Sequence, residues 1–350
     1  MKQKLGFVLV VEHNDLEPKS TLLVESIRRY EALKLAPIYV VQPRTGPPPS
    51  KACLSSLAQN GAVFIFADLN REWRRHSMMN KVYASALVEE LVENKVQTLV
   101  FLDSDVLVTS GPDGIELNGE EAVAVAPIAE WRLGQMGQPV DEPITQIWEL
   151  VFDVCGVKWP PSWQISTMID KRVIFPYFNS GVVAVQPTLG IFRKWRENAN
   201  RLAQDERAHK IPENSRDYTF LDQTTLAGTL LAELPREKIR VLSHRYNYPL
   251  HAHNVMPEEV RAKALEDIHF VHYHGHFSNL YWMDDIQVSE PFKAWLLARI
   301  PFRPRLQLKR SNFIQLISHL ASRFPFRPIH HRWMHYLPGF RRTVPYPSQR

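Results

Sequence analysis

Residues 98–108 read TLVFLDSDVLV, an apolar run that passes directly into two aspartates and then becomes apolar again. A continuous apolar run of this length is typical of a strand buried on both faces of a parallel sheet. Asp103 and Asp105 follow it at a spacing of two, so in an extended chain their carboxylates lie on the same side. Ligands of open parallel sheets bind beyond the carboxyl ends of the strands. This stretch therefore predicts a sheet and the edge at which its site lies.

The segments around this motif alternate between strand and helix patterns. Short apolar runs at 5–11, 37–41 and 63–66 indicate strands, and residues 20–35 and 80–92 carry apolar side chains at helical spacing. This alternation predicts an α/β fold with a mainly parallel central sheet flanked by helices. The later predicted elements are strands over 178–185 and 268–273, and helices over 192–202 and 221–231.

Charge divides the chain into a body and a tail. The whole chain has a net charge of +5, whereas residues 301–350 contain ten basic and no acidic residues, which leaves −5 for residues 1–300. We expect one enzyme domain over 1–300, with a nucleotide-binding half at 1–110 and an acceptor half at 111–300. The tail at 301–350 is expected to be basic and amphipathic, and its charge favours an anionic partner.

Composition also suggests a compartment. The chain has only two cysteines, which favours a reducing compartment. The N-terminal apolar run is seven residues long and lacks a small-residue cleavage site, so we interpret it as a buried strand and not as a signal peptide. No stretch approaches the roughly 18 apolar residues of a membrane span. We expect a cytoplasmic protein, with any membrane contact peripheral and on the inner face.

The aspartate pair predicts a metal site. Carboxylates at a strand end form a hard-oxygen site for Mn²⁺ or Mg²⁺, which bridges a diphosphate. Spacing alone is weak evidence, because roughly one Asp-x-Asp is expected by chance in a chain of this length. The alternative is a solvated turn after a strand. The apolar runs on both sides of Asp103 and Asp105 favour the site.

Several segments resemble motifs of glycosyltransferase family 8, the relatives of glycogenin and galactinol synthase. FLDSDVLV at 101–108 is similar to the strand that carries the family's metal-binding aspartates. Further matches follow the family's order: NKV at 80–82, YFNSGV at 177–182, LDQ at 221–223 and VHYHG at 271–275. Each match is loose alone, but together they span most of the chain and are fairly specific.

The resemblance implies a GT-A fold and metal-dependent transfer of a hexosyl group from a UDP-sugar or related nucleotide sugar to a glycan or lipid-linked acceptor, with retention of configuration. It implies a metal held by Asp103, Asp105 and His272. Asp222 and Asn179 are the candidate catalytic residues; Asp222 would orient the donor sugar, and no enzymic nucleophile stands out. The residues expected to contact the donor are Lys81, Asp103, Ser104, Asp105, Asn179, Ser180, Gly181, Asp222, Gln223, Gly275 and His276.

Each of these interpretations has a structural alternative. Residues 179–181 interrupt an apolar strand, where glycine permits close approach of a ligand but also suits a β-bulge. Asp222 opens a helical stretch and is a candidate N-cap. Lys81 could be an ordinary exposed helix lysine. His272, His274 and His276 would share one face of a strand, either as ligands or as solvated side chains.

One departure from the family concerns the diphosphate. Family members usually continue past the last motif to a lysine that reaches the diphosphate, and this chain has no lysine there. His276 or an arginine elsewhere is the candidate replacement.

Two other functions fit parts of the pattern. A phosphohydrolase of the haloacid-dehalogenase type would use Asp103 as nucleophile and Asp105 as acid/base, but needs a second aspartate pair, for which Asp284 and Asp285 are a poor match. A non-catalytic sugar-nucleotide-binding protein is the other alternative.

Two segments suggest partners. Residues 127–170 hold four tryptophans that could stack on an acceptor sugar or simply belong to the core: Trp131, Trp148, Trp159 and Trp163. In the tail, apolar residues at near-helical spacing over 313–324 lie between basic residues, which favours an anionic membrane surface over the two alternatives, a helix packed on the body and a nucleic-acid contact.

Overall fold

A computed structural model describes residues 3–111, 113–130, 137–275, 277 and 281–299. The strands are β1 (Gln3–Val10), β2 (Ile38–Gln42), β3 (Ala62–Phe66), β4 (Val96–Leu102), β5 (Val106–Val108), β6 (Val123–Pro127), β7 (Ile165–Ser166), β8 (Val173–Ile174), β9 (Phe178–Val185), β10 (Ile239–Val241), β11 (Tyr248–Pro249) and β12 (Phe270–His272). The α-helices are α1 (Leu16–Arg28), α2 (Lys51–Gln59), α3 (Asn80–Val92), α4 (Gln146–Cys155), α5 (Ile191–Gln204), α6 (Arg216–Thr219), α7 (Leu221–Glu233) and α8 (Glu290–Leu297).

Seven strands form the central sheet in the order β3-β2-β1-β4-β9-β6-β10. Strands β1 to β4 pair in parallel, as do β6 and β10, while β9 runs antiparallel to both of its neighbours. The predicted α/β class with a mainly parallel sheet is confirmed. Since β4 is central, the aspartates that follow it lie at the middle of one sheet edge.

Helices cover both faces of the sheet. In β1, Val8 and Val10 face a core that includes α3, α4, α5 and α7, whereas Phe7 and Leu9 face a core that includes α1 and α2. All four side chains are at most 7% exposed. The continuous apolar run therefore reflects burial on both faces, because alternate residues enter different cores.

A second, three-stranded sheet lies in the order β11-β12-β5. Strand β5 follows β4 after a three-residue connection, and it pairs antiparallel with β12 in the register Val106 to His272. This pairing joins the segment after β4 to a strand more than 160 residues later in the chain.

Several elements have no counterpart in the sequence-based prediction, among them α2, α4, β6 and β10. Helix α4 is apolar and ends at Gly156, whose φ of 76° suits glycine. It lies within 127–170, where the short strand β7 and proline-containing loops accompany the helix, so no single period emerges. In the described parts of the chain, no helix is long and apolar enough to cross a membrane.

Glu89 of α3 links two helices. It is fully buried, and its carboxylate accepts hydrogen bonds from the backbone N–H groups of Phe192 (3.1 Å) and Arg193 (2.9 Å) at the start of α5. Burial raises the pKa of Glu89 to about 7 in spite of these bonds. Helix α5 has no side-chain N-cap of its own, so Glu89 replaces it from another helix.

We predict that Glu89→Ala lowers the free energy of unfolding by about 2 kcal/mol, because it leaves buried N–H groups without an acceptor. Chemical denaturation of the full chain measures this. The neighbouring Glu90→Ala is the control: Glu90 is 42% exposed and pairs with Arg196, so its loss should cost less than about 0.5 kcal/mol. Equal costs for the two variants would contradict the capping role.

Candidate active site

The two aspartates after β4 lie in a turn. Strand β4 ends at Leu102, and the carbonyl of Asp103 accepts a hydrogen bond from the N–H of Val106 at 2.9 Å. Between them, the hydroxyl of Ser104 donates to the carbonyl of Val10 at the end of β1. The extended geometry expected from the spacing is therefore wrong, since the chain turns here to enter β5. The Ser104 hydroxyl is used within the protein, and its contact with a donor stays a prediction.

His272 reaches Asp105 through the β5–β12 pairing. The backbone N–H of Tyr273 donates to the carbonyl of Asp105 at 3.1 Å, which aligns the strand ends. His272 Nε2 then lies 3.0 Å from Asp105 Oδ1 and 4.0 Å from Asp103 Oδ2. The three residues predicted as metal ligands are thus close together, and His272 is only 5% exposed.

Lys81 connects Asp103 to two other predicted site residues. Its ammonium, on the first turn of α3, lies 2.8 Å and 2.9 Å from the two carboxylate oxygens of Asp103 and 3.4 Å from Asp222 Oδ2. It also donates to the hydroxyl of Ser180 at 3.1 Å, and Ser180 donates to Asp222 Oδ2 at 2.8 Å. Lys81 is 4% exposed, so it is not an ordinary solvated helix lysine.

The charges of this cluster shift one another's pKa values. Burial alone would lower the pKa of Lys81, but Asp103 and Asp222 outweigh it and raise that pKa above its usual value. Burial raises the pKa of Asp103 against the attraction of the Lys81 ammonium. Burial would also raise the pKa of Asp105, but His272 reverses the direction and lowers it. Lys81 is therefore a fixed cation, and Asp105 remains ionised at neutral pH.

Residues 179–181 form both an irregularity in β9 and a wall of the site. Pairing with β6 shifts between Val183 and Asn179, so the β-bulge alternative is confirmed. A Cβ added to Gly181 would lie 2.8 Å from His272 Cε1, 2.9 Å from Asn179 Oδ1 and 3.0 Å from Asp103 Oδ2. Only glycine lets the bulge lie this close to the histidine and the carboxylate.

Asp222 and Gln223 lie in the first turn of α7. The N-cap of α7 is Phe220, so the N-cap alternative for Asp222 is wrong. Asp222 is 1% exposed, and its Oδ1 has no hydrogen-bond partner among the residues that the structure describes. Gln223 Oε1 accepts from the backbone N–H of Ser180 at 3.3 Å. Both residues therefore face the bulge of β9.

The end of β12 departs from the expected strand. His274 has a φ of 48°, so the alternation of three histidines on one strand face does not continue past His272. The His274 ring nevertheless stacks on that of His272 at a centroid distance of 4.0 Å. Around Gly275, no described atom lies within 4 Å of an added Cβ, which leaves room beside the backbone. His276 lies outside the described residues.

Two residues near the site were missed by the sequence-based prediction. Asn247 donates from Nδ2 to Asn179 Oδ1 at 2.7 Å, and its Oδ1 lies 3.2 Å from His272 Nδ1. Lys19 of α1 lies 3.8 Å from Asp105 Oδ2. Neither belongs to a motif. One indication in the sequence placed Lys19 near the site, since α1 follows β1 at the same edge of the sheet. There was no such indication for Asn247.

The tryptophans of 127–170 divide between core and surface. Trp148 of α4 is 1% exposed and packs edge-on against Tyr177, so it belongs to the core. Trp159 is 42% exposed and packs on Phe175. Trp131 lies outside the described residues. Acceptor contact therefore remains a prediction for the rest of the segment.

Comparison with known proteins decides the class. Residues 7–232 match the Rhodobacterales glycosyltransferase domain, which is more than half of the chain. The chain belongs to this glycosyltransferase family. The coarser prediction, a glycosyltransferase, is confirmed, and closer kinship with the glycogenin relatives stays a prediction. No curated protein matches the chain.

Solved structures of three glycosyltransferases resemble the chain. The galactosyltransferase LgtC, in complex with donor and acceptor sugar analogues, is 14% identical, with 77% of this chain and 86% of that chain covered and a TM-score of 0.45. The bifunctional glycosyltransferase WbbM is 14% identical, with 85% and 52% covered and a TM-score of 0.42. Mouse xyloside xylosyltransferase 1 is 14% identical, with 79% and 99% covered and a TM-score of 0.42.

We predict that Gly181→Ala lowers the glycosyltransferase's kcat/KM by about 100-fold, because displacing His272 or Asp103 by a few tenths of an ångström disturbs the site. Thermal unfolding should change little. Gly119→Ala is the control, since an added Cβ there meets nothing within 4 Å. Wild-type kinetics for the Gly181 variant would show that close approach of the bulge is unimportant.

Proposed function

We propose that this glycosyltransferase moves a hexosyl group from a UDP-sugar to a glycan or lipid-linked acceptor, with a divalent cation held by Asp103, Asp105 and His272. The observation that carries the proposal is the convergence of these three side chains, two from the turn between β4 and β5 and one from the end of β12. The donor class, the metal and the retaining course follow from the resemblance to glycosyltransferase family 8.

The charge of the cluster fits a divalent cation. Asp103, Asp105 and Asp222 supply three carboxylates, whereas Lys81 is the one fully enclosed cation among the described residues of the cluster. Buried charges need compensation, so three carboxylates beside one enclosed ammonium favour a divalent cation such as Mn²⁺ or Mg²⁺. Asp105, His272 and His274 also each offer a ligand atom, all within 4.8 Å of one another. Imidazole nitrogen beside carboxylate favours Mn²⁺ over Mg²⁺.

The residues around the cation would bind and orient the donor. When bound, the cation would neutralise charge that develops on the leaving diphosphate. Lys81 holds Asp103 and Asp222 in fixed positions. The orphan Oδ1 of Asp222 is a buried acceptor that needs a donor, and a hydroxyl of the sugar supplies one. In this proposal Asp222 orients the sugar and the acceptor attacks on the face that the diphosphate leaves.

The two rival functions find less support. In a phosphohydrolase, a second aspartate pair would complete the site, but Asp285 instead bonds to Asn254 at 2.9 Å. A binding protein would not need the intact set of Asp103, Asp105 and His272. Membership of a glycosyltransferase family favours transfer over both.

We expect UDP-sugar hydrolysis and transfer to require Mn²⁺ or Mg²⁺ and to stop with EDTA. Asp105→Asn should lower turnover by at least about 100-fold, because it removes a charged ligand while keeping the side-chain shape. Screening nucleotide sugars for metal-dependent thermal stabilisation identifies the donor.

The matched control is Asp153→Asn, an aspartate 60% exposed and paired with Arg207, which should behave as wild type. Full transfer by Asp105→Asn in EDTA would overturn the metal site. Release of phosphate from a phosphomonoester, without hydrolysis of any nucleotide sugar, would favour the phosphohydrolase. Metal-dependent donor binding without turnover would favour the binding protein.

We further propose that residues 301–350, which lie outside the described residues, hold the enzyme on the anionic inner face of a membrane. The support is the sequence: an apolar stripe with basic flanks binds such interfaces by burial and charge attraction. Each basic residue near the surface adds about 1 kcal/mol. Peripheral binding of a cytoplasmic enzyme suits a lipid-linked acceptor.

We expect the full chain to co-sediment with phosphatidylserine vesicles and not with neutral phosphatidylcholine vesicles. Replacing Arg303, Arg305, Lys309 and Arg310 by glutamine should weaken this binding, and added salt should weaken it further. A body-packed tail predicts negligible sedimentation of both proteins with either vesicle, and that result would contradict the membrane proposal.

A further inference from the structure

The backbone N–H of Gly181 has a fixed role as a hydrogen-bond donor. It donates to Asn179 Oδ1 at 2.8 Å. An amide side chain can present either its oxygen or its NH₂ group, but only the oxygen can accept this bond. The orientation of the Asn179 amide is therefore set by the main chain of the bulge in β9.

The orientation of the Asn247 amide is set by its hydrogen bond to Asn179. The same Oδ1 of Asn179 lies 2.7 Å from Asn247 Nδ2, and an acceptor must be met by the NH₂ group. The carbonyl end of Asn247 then points the other way, and its Oδ1 lies 3.2 Å from His272 Nδ1. An amide oxygen only accepts, so the hydrogen of this bond must be on Nδ1.

A neutral imidazole carries one N–H, so a proton on Nδ1 leaves a lone pair on Nε2. Nε2 is the atom that lies 3.0 Å from Asp105 Oδ1 and 4.0 Å from Asp103 Oδ2. Two electron-rich atoms at 3.0 Å need a positive charge between them, which is either a second proton on the ring or a metal ion. The geometry thus directs the lone pair to the place where a cation would lie.

We propose that Asn179 and Asn247 are positioning residues that transmit the donor role of the Gly181 N–H to His272 and so fix the Nδ1–H tautomer that binds metal through Nε2. The proposal rests on the proposed function in so far as His272 is a ligand. It gives Asn179, expected from the sequence to be catalytic, a role that requires its oxygen and leaves its NH₂ group for the donor.

Burial strengthens this relay, by which we mean the series of hydrogen bonds from the Gly181 N–H through Asn179 and Asn247 to His272. Asn247 is 6% exposed and His272 is 5% exposed, so water cannot easily replace the Asn247 amide beside the ring. Outer partners of this kind that orient a ligating histidine typically change metal affinity by about 10- to 100-fold when they are lost.

Four variants of the full chain distinguish loss of the His272 orientation from a general loss of stability. Asn247→Leu removes both of its bonds and should weaken Mn²⁺ binding by about 10- to 100-fold. Asn247→Asp keeps the acceptor for His272 but loses the donor to Asn179, so it should weaken Mn²⁺ binding less than Asn247→Leu does. Asn179→Asp keeps the acceptor for both donors and should also retain Mn²⁺ affinity. Asn198→Leu is the control, since Asn198 is 3% exposed and donates to Thr229 instead.

The measurements are titration calorimetry with Mn²⁺ and ¹⁵N NMR of histidine rings at pH 8 before and after addition of diamagnetic Mg²⁺, which places a cation beside Nε2, with the His272 signal assigned from His272→Gln. Wild type, Asn247→Asp and Asn179→Asp should show the Nδ1–H tautomer, which Asn247→Leu should lose. An Nε2–H tautomer in wild type would overturn the relay, and so would equal Mn²⁺ affinity in wild type and a folded Asn247→Leu. Absence of Mn²⁺ binding in wild type with the Nδ1–H tautomer present would instead remove the proposed metal site and leave the relay standing.

Discussion

The buried ammonium of Lys81 is the interaction on which the site depends. It joins α3, the end of β4, the bulge of β9 and the first turn of α7 through Asp103, Ser180 and Asp222. A buried pair is costly to form and costlier to break, because removing one partner leaves an uncompensated charge. Lys81 thus links four elements through one buried cation.

The second constraint is register. Strand β5 is three residues long, and its antiparallel pairing with β12 decides which residue faces Asp105. A slip of one residue would move His272 to the other face of the small sheet, since side chains alternate along a strand. The N–H of Tyr273 and the carbonyl of Asp105 continue the pairing beyond β5 and secure the register. The geometry of the proposed metal site is therefore a consequence of main-chain pairing.

What the sequence could predict followed from local pattern. Strands β1 and β4 are buried on both faces and therefore have continuous apolar sequences, and the helical spacing of apolar residues predicted the bounds of α3. The sheet edge and the position of Asp103 were therefore predictable. The turn at Ser104 was not, because it depends on the Val10 carbonyl of a different strand. The role of Asn247 could not be predicted either, because its partners Asn179 and His272 come together only where the two sheets pack. Long-range pairing of polar groups leaves no period in the sequence.

The two aspartates of the motif, equivalent in the sequence, differ in the folded protein. Both oxygens of Asp103 are engaged by Lys81, so that carboxylate is held in place by a cation of the protein itself. Asp105 is met by the buried His272 at 3.0 Å and by the partly exposed Lys19 at 3.8 Å. A cation entering the proposed site would therefore find Asp105 and His272 less engaged by the protein than Asp103, whose two oxygens already face Lys81. The same argument applies to the position of Lys81, which contacts Asp103 and not Asp105. A buried ammonium beside Asp105 would offset the negative charge that attracts a cation.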